Sequence, residues 1–124
     1  MRVLDDNCLK VYSKPLSMHA SLDAGVHEEI IPCSAPQDFH MLTSGRFARA
    51  LDEVAPSNVE LHIVSSGSFQ RSPLNARSIV DVMSLGIANG ERFHVIVRAD
   101  SKEAVSNSSS ACKKALFQLC MLQE

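Results

Sequence analysis

Hydrophobic and polar positions along this chain switch between a period of two and a period near 3.6, and the switches outline its elements. Leu16, Met18, Ala20 and Leu22 alternate with polar neighbours, which predicts a half-buried strand closed by the turn residues Asp23-Ala24-Gly25. Glu28 to Gln37 holds Pro32 and Pro36 and reads as a loop. Phe39, Leu42, Phe47, Leu51 and Val54 keep helical spacing. That helix is expected to open near Pro36, a residue suited to a first turn, and to end at Pro56. Gly45 weakens its middle by about 1 kcal/mol relative to alanine, so a break there also fits. Val59, Leu61 and Ile63 alternate with Glu60 and His62 in a second strand, Ser65-Ser66-Gly67 turns the chain, and a short third strand is expected around Phe69.

The stretch from Asn75 to Gly90, NARSIVDVMSLGIANG, is the most informative. Ser78 and Asp81 have the spacing of a helix N-cap and its capping-box acid. Gly86 stops the helix and Asn89-Gly90 turns the chain into the next strand. Ile79, Val80, Val82, Met83 and Leu85 spread around more of the helix than the ~100° stripe a core-facing helix needs. The surplus, Val80 and Met83, is expected to face outward, and an outward apolar patch marks a docking surface. Phe93, Val95 and Val97 then alternate in a fourth strand. Asp100 and Glu103 have capping-box spacing, but Ser106 to Ser110 is poor helix sequence before Ala111, Ala115, Leu116, Leu119 and Leu122 resume the period. Either one helix with a weak centre or a loop and a helix from Ser110 is expected. The order βαββαβα predicts an α+β open-faced sandwich: an antiparallel sheet with three helices on one face and the other face open.

Composition narrows the function classes. The chain has 124 residues, enough for one domain with a modest core, and a formal net charge of -2 with scattered Lys and Arg, which argues against nucleic acid as a partner. No apolar run approaches the ~18 residues of a membrane span, so no membrane insertion is expected. Asp5 and Asp6 follow Arg2 closely, unlike a signal peptide. Cys8, Cys33, Cys112 and Cys120 lack metal-ligand or CxxC spacing, which fits a cytoplasmic protein with no metal or cofactor; Cys112 and Cys120 are expected on one helix. No Ser-His-Asp context, phosphate-binding loop or paired carboxylates with a basic partner is visible, so an independent enzyme is not expected.

SIVDVMSLGIANG, with Asn75-Ala76-Arg77 before it and an alternating strand after it, resembles the second-helix segment of HPr, the histidine-containing phosphocarrier of the bacterial phosphoenolpyruvate-dependent sugar phosphotransferase system. The resemblance is specific over Asn75 to Ala99 and implies a four-stranded HPr-like domain over residues 15–124, preceded by an extension of residues 1–14. It also implies a phosphocarrier taking a phosphoryl group from an enzyme I-like protein and passing it to enzyme IIA-like proteins. A serine kinase and a transcriptional regulator are further implied partners. Family members carry the phosphoryl group on a histidine after the first strand and at the start of the first helix, where free N–H groups stabilise a dianion. An arginine two residues on and then a proline usually follow it. His27, in Gly25-Val26-His27, matches the sequence form as acceptor, but Glu28-Glu29 follow it. His40 is the alternative: it lies nearer the helix, with Arg46 and Arg49 downstream, though the helix start expected at Pro36 puts it within the first turns. Ser78 matches the serine phosphorylated in Gram-positive members, with Arg77 beside it to pair with the phosphate, and Ile79, Val80 and Met83 would form the docking patch. His19, His62 and His94 fall at outward strand positions. The rival reading is a binding module of the same fold that docks partners without phosphotransfer.

Overall fold

Strand β4 (Arg92–Ala99) is the spine of the sheet, because Phe93, Val95, Val97 and Ala99 turn one apolar side to the core along its whole length. A computed structural model describes residues 26–65 and 73–122 of the chain. β4 pairs antiparallel with β1 (His27–Ser34) on one side, His27 opposite Ala99 and Ser34 opposite Arg92. On its other side lies β2 (Glu60–Ser65), Glu60 opposite Arg98. The two-residue β3 (Leu74–Asn75) pairs with β2, giving the order β1-β4-β2-β3. Helices α1 (Met41–Val54), α2 (Ile79–Ser84) and α3 (Lys102–Gln118) complete the order βαββαβα. All three bury residues in one core, Phe47 and Leu51 from α1, Val82 from α2 and Leu116 from α3. Phe39, Phe47 and Phe93 meet edge to face there, with centroids 5.4–5.8 Å apart, the favoured geometry for rings of this quadrupole.

Several elements start elsewhere than the pattern suggests. The expected strand 16–22 and the residues around Phe69 lie outside the described residues. The stretch with two prolines is no loop: residues 27–34 form β1, and Pro32 is tolerated because β1 is an edge strand that needs no N–H on its free side. Residues 35–39 are then tied to the α2–β4 connection. Phe39 N–H donates to Ile87 O at 2.9 Å, Asn89 N–H to Asp38 Oδ1 at 2.7 Å, and Gly90 N–H to Ala35 O at 2.8 Å. Those bonds delay α1 to Met41 and leave His40 as its N-cap, not inside its first turns. α1 ends just before Pro56 and runs unbroken through Gly45, whose Cα side faces Ile79 of α2 at ordinary contact distance.

α3 is likewise continuous through its serines. Ser101, one residue later than the expected Asp100, caps it by accepting from Ala104 N–H at 3.0 Å. Ser108 and Ser109 are buried on the side that carries Val105 and Cys112, where small side chains fit beneath the helix. Cys120 lies just past α3 and is exposed, while Cys112 is buried within it. On the face away from the helices Ile30, Val64 and Ile96 form a separate apolar cluster, and His94, expected outward, is buried.

Candidate functional site

His40 occupies the end of the domain where the chain leaves its tethered loop and enters α1. Its backbone is extended, as an N-cap requires, and its carbonyl accepts from Ser44 N–H at 2.9 Å. Its side chain does not cap the helix, and no acidic residue occupies the first turn, so the positive end of α1 is unneutralised by its own sequence. The imidazole is exposed, and its Nε2 lies 3.3 Å from Thr43 Oγ1. That contact leaves Nδ1 without a hydrogen bond among the described residues. The nearby carboxylate of Asp38 is engaged by Asn89 N–H.

Beyond His40 an open groove of about 700 Å³ runs along α1 to Leu119, lined by Met41, Leu42, Arg46, Arg49 and Glu53 among others. Met41 and Leu42 are exposed. Leu42 was expected in the core by its spacing; five residues before the buried Phe47, it lies ~140° round the helix from it and faces out. α2 lies beside α1 here, with Ile79 Cδ1 3.8 Å from where a side-chain carbon at Gly45 would stand. Ile79, Val80 and Met83 are exposed, Val80 to 75%, while Val82 is fully buried. The wheel's division of this helix into a buried and a surplus apolar side therefore matches the structure.

Ser78 caps α2, its Oγ accepting from Asp81 N–H at 3.2 Å, and the Asp81 carboxylate reaches back to accept from Asn75 N–H at 3.1 Å. Arg77 points away from Ser78. Its guanidinium donates to Asp52 Oδ1 at 2.9 Å and to the carbonyls of Ala55, Pro56 and Val59 at 3.2, 2.7 and 2.7 Å. It closes the C-terminal end of α1 and is not free to pair with a group on Ser78. This staple was invisible in the sequence, since its partners lie 18–25 residues away.

His27 opens β1, exposed and opposite Ala99, at the far end of that strand from the loop leading to His40. Seven strand steps of ~3.3 Å separate the two ends by about 23 Å. The carboxylates after His27 face opposite sides of the sheet and are already partnered. Burial raises the Glu28 carboxyl above its ordinary range, against the opposing pull of Arg98 and His62. A 2.8 Å bond from Lys113 holds Glu29 below its range. Among the described residues no three His, Cys, Asp or Glu side chains group as a metal site, and no helix is long and apolar enough to cross a membrane.

Comparison with known proteins agrees with this architecture. The family model described as PTS HPr component phosphorylation site matches residues 27–113, a span that begins at His27 and includes His40 and Ser78. No curated protein matches the chain in sequence. Among solved structures, the histidine-containing phosphocarrier protein of Mycoplasma is similar at 16% identity, covering 79% of this chain and 100% of that one with a TM-score of 0.56. Phosphocarrier protein HPr from Bacillus anthracis matches at 18% identity over 69% of this chain and 95% of that one, TM-score 0.46. HPr-C-His from Thermoanaerobacter tengcongensis matches at 18% identity over 73% and 96%, TM-score 0.47. With the family model spanning most of the chain and the sheet and helices in the same arrangement, this protein belongs to the HPr family of the phosphotransferase system.

Proposed function

We propose that this protein is a phosphocarrier whose phosphoryl acceptor is His40. One observation carries the reading: His40 is an exposed N-cap of a long helix, with Nδ1 unengaged among the described residues and no carboxylate in the first turn. A phosphoryl group on that nitrogen would sit against the free N–H groups at the start of α1. His27, the better match in local sequence, stands at the head of a strand with no helix end to receive the charge. Arg46 and Arg49 in the shared groove supply positive charge at the side where Leu42 replaces the arginine the family resemblance implies. The exposed apolar groups Ile79, Val80 and Met83, with Met41 and Leu42, form the surface onto which enzyme I-like donors and enzyme IIA-like acceptors dock.

The direct test is incubation with phosphoenolpyruvate and an enzyme I, followed by intact mass. One acid-labile phosphate, retained in His27→Ala and lost in His40→Ala, is expected. An unmodified parent, or loss only in His27→Ala, overturns the assignment.

Regulation at Ser78 by a serine kinase belongs to the same reading. A phosphate there would add nearly two negative charges beside the docking patch, close to Asp81 and without Arg77 as counter-ion. A switch requires Ser78→Asp to bind partners worse than Ser78→Ala while folding at least as well. Equal binding by both variants leaves Ser78 as a cap alone. The second reading, a module that docks partners without phosphotransfer, is favoured by Leu42 and Thr43 standing after His40 in place of arginine and proline. Partner binding by a protein that never takes up phosphate would establish it.

A further inference from the structure

Thr43 stands apart from the rest of the first turn of α1. It is the third residue of the helix and is buried, 2% exposed, whereas Met41 and Leu42 before it are open to solvent. Its hydroxyl makes one hydrogen bond among the described residues, the 3.3 Å contact with Nε2 of His40. A side chain locked by packing gives a fixed oxygen on which the exposed imidazole is held. A residue three after an N-cap ordinarily pairs with the backbone of the cap. Here the pairing runs side chain to side chain, and it falls on a ring whose two nitrogens are not equivalent.

A hydroxyl can donate to a bare Nε2 or accept from Nε2–H, and the two arrangements leave opposite nitrogens with the lone pair. Resting on the reading of His40 as acceptor, we propose that Thr43 is its positioning residue: Oγ1 accepts from Nε2–H, which keeps the proton off Nδ1 and makes Nδ1 the atom that takes the phosphoryl group. The neutral imidazole of histidine already prefers its proton on Nε2. No carboxylate competes for the ring among the described residues, since that of Asp38 is engaged by Asn89 N–H. In the transfer the Nδ1 lone pair forms the N–P bond while the bond from phosphorus to the donor breaks, its electron pair leaving with the donor. The Nε2 proton stays where it is, so the ring becomes a cation and the bond from Nε2–H to Oγ1 becomes charge-assisted. Bonds of that kind are shorter and stronger. The hydroxyl therefore stabilises the phosphorylated ring more than the resting one, which is what lets it speed the step. It also occupies Nε2, so a product carrying the phosphoryl group on that nitrogen is suppressed.

Two changes separate the hydroxyl from the shape of the side chain. Thr43→Val keeps the branch and loses the hydroxyl, and Thr43→Ser does the reverse. On the unphosphorylated protein, long-range 1H–15N correlation at a pH where the ring is neutral reads the tautomer of His40. The Nε2–H form should dominate in the parent and in Thr43→Ser, and the Nδ1–H fraction should rise several-fold in Thr43→Val. With phosphoenolpyruvate and enzyme I, Thr43→Val should be phosphorylated about 10-fold more slowly, the worth of one hydrogen bond to a charged group. Part of its phosphorus should couple to Nε2, while Thr43→Ser stays close to the parent. Loss in Thr43→Ser with none in Thr43→Val would show a packing role and overturn the proposal. So would a parent ring protonated on Nδ1, which decides the matter even where Thr43→Val does not fold. A parent labelled on His40 whose Thr43→Val variant matches it in tautomer and rate refutes the role of Thr43 alone. A parent that takes no phosphate refutes the acceptor reading, and the part of Thr43 in transfer with it, whatever the tautomer.

Discussion

Replacing Arg77 by alanine should be among the most damaging single changes outside the hydrophobic core. The guanidinium is only 16% exposed and makes its bonds to the last turn of α1 and the entry to β2. Two of the accepting carbonyls, those of Ala55 and Val59, are part-buried and would regain water incompletely. Each is worth about 1 kcal/mol net, the usual yield of an intramolecular hydrogen bond. The more exposed Pro56 carbonyl and the Asp52 carboxylate add about 0.5 kcal/mol each, in line with surface pairs. The sum, about 2–3 kcal/mol, corresponds to roughly 8–12 °C in melting temperature for a domain of this size. Urea denaturation of the parent, Arg77→Ala, Arg77→Lys and Asp52→Ala measures it directly. Lysine, a single donor head without the planar fork, should recover less than half of the loss. Asp52→Ala should cost no more than about 0.5 kcal/mol. Because the main partners are carbonyls rather than a screened ion pair, the loss should persist in ~1 M salt. An Arg77→Ala variant within about 0.5 kcal/mol of the parent, or as mild as Asp52→Ala, would refute the reasoning.

Other consequences can be checked as simply. Gly45→Ala should stabilise the protein by about 0.5–1 kcal/mol in denaturant titration, because the helix is regular there and the added methyl meets Ile79 only at 3.8 Å; destabilisation would show that α1 and α2 pack more tightly than described. Val80→Asp and Met83→Asp should keep the fold by circular dichroism and lose partner binding, whereas Val82→Asp, burying an unpaired charge, should cost several kcal/mol; equal unfolding by all three would remove the docking patch. Burial pushes the Cys112 thiol from an ordinary value of 9.0 up to about 11, so between those values the unfolded chain sheds a proton that the folded chain keeps. Stability should therefore fall as pH rises through that window, and Cys112→Ala should show a shallower fall; equal slopes would contradict the burial effect.

The parts of the fold that were legible in the sequence are those whose local pattern and tertiary role coincide. β4 alternates because one side faces the core throughout. Ser78 caps α2 through a bond only three residues long. The outward side of α2 follows from a wheel that holds more apolar residues than one face can bury. β1 was hidden because Pro32 and its acids are allowed by its edge position, which depends on the pairing of the whole sheet. The start of α1 was hidden for a similar reason. Hydrogen bonds from Phe39 N–H to Ile87 and from Asn89 N–H to the Asp38 carboxylate, between residues about fifty positions apart, hold the chain extended as far as His40, and no local signal carries that. The serine run of α3 reads as a helix breaker in isolation, yet two of its serines are the small groups that fit under the helix. The same dependence on distant contacts moved the candidate acceptor. With α1 beginning at Met41, His40 stands at a helix end and His27 at a strand end.

The acceptor nitrogen itself can be observed. A sample labelled with 15N in histidine, phosphorylated by phosphoenolpyruvate and enzyme I, is followed by long-range 1H–15N correlation before and after the phosphoryl group is added. The account predicts that the His40 Nδ1 resonance alone shifts and acquires coupling to phosphorus, while the ring signals of His27 stay in place. Coupling to phosphorus at His27, or no coupling at any histidine in a protein that still binds its partners, would contradict it.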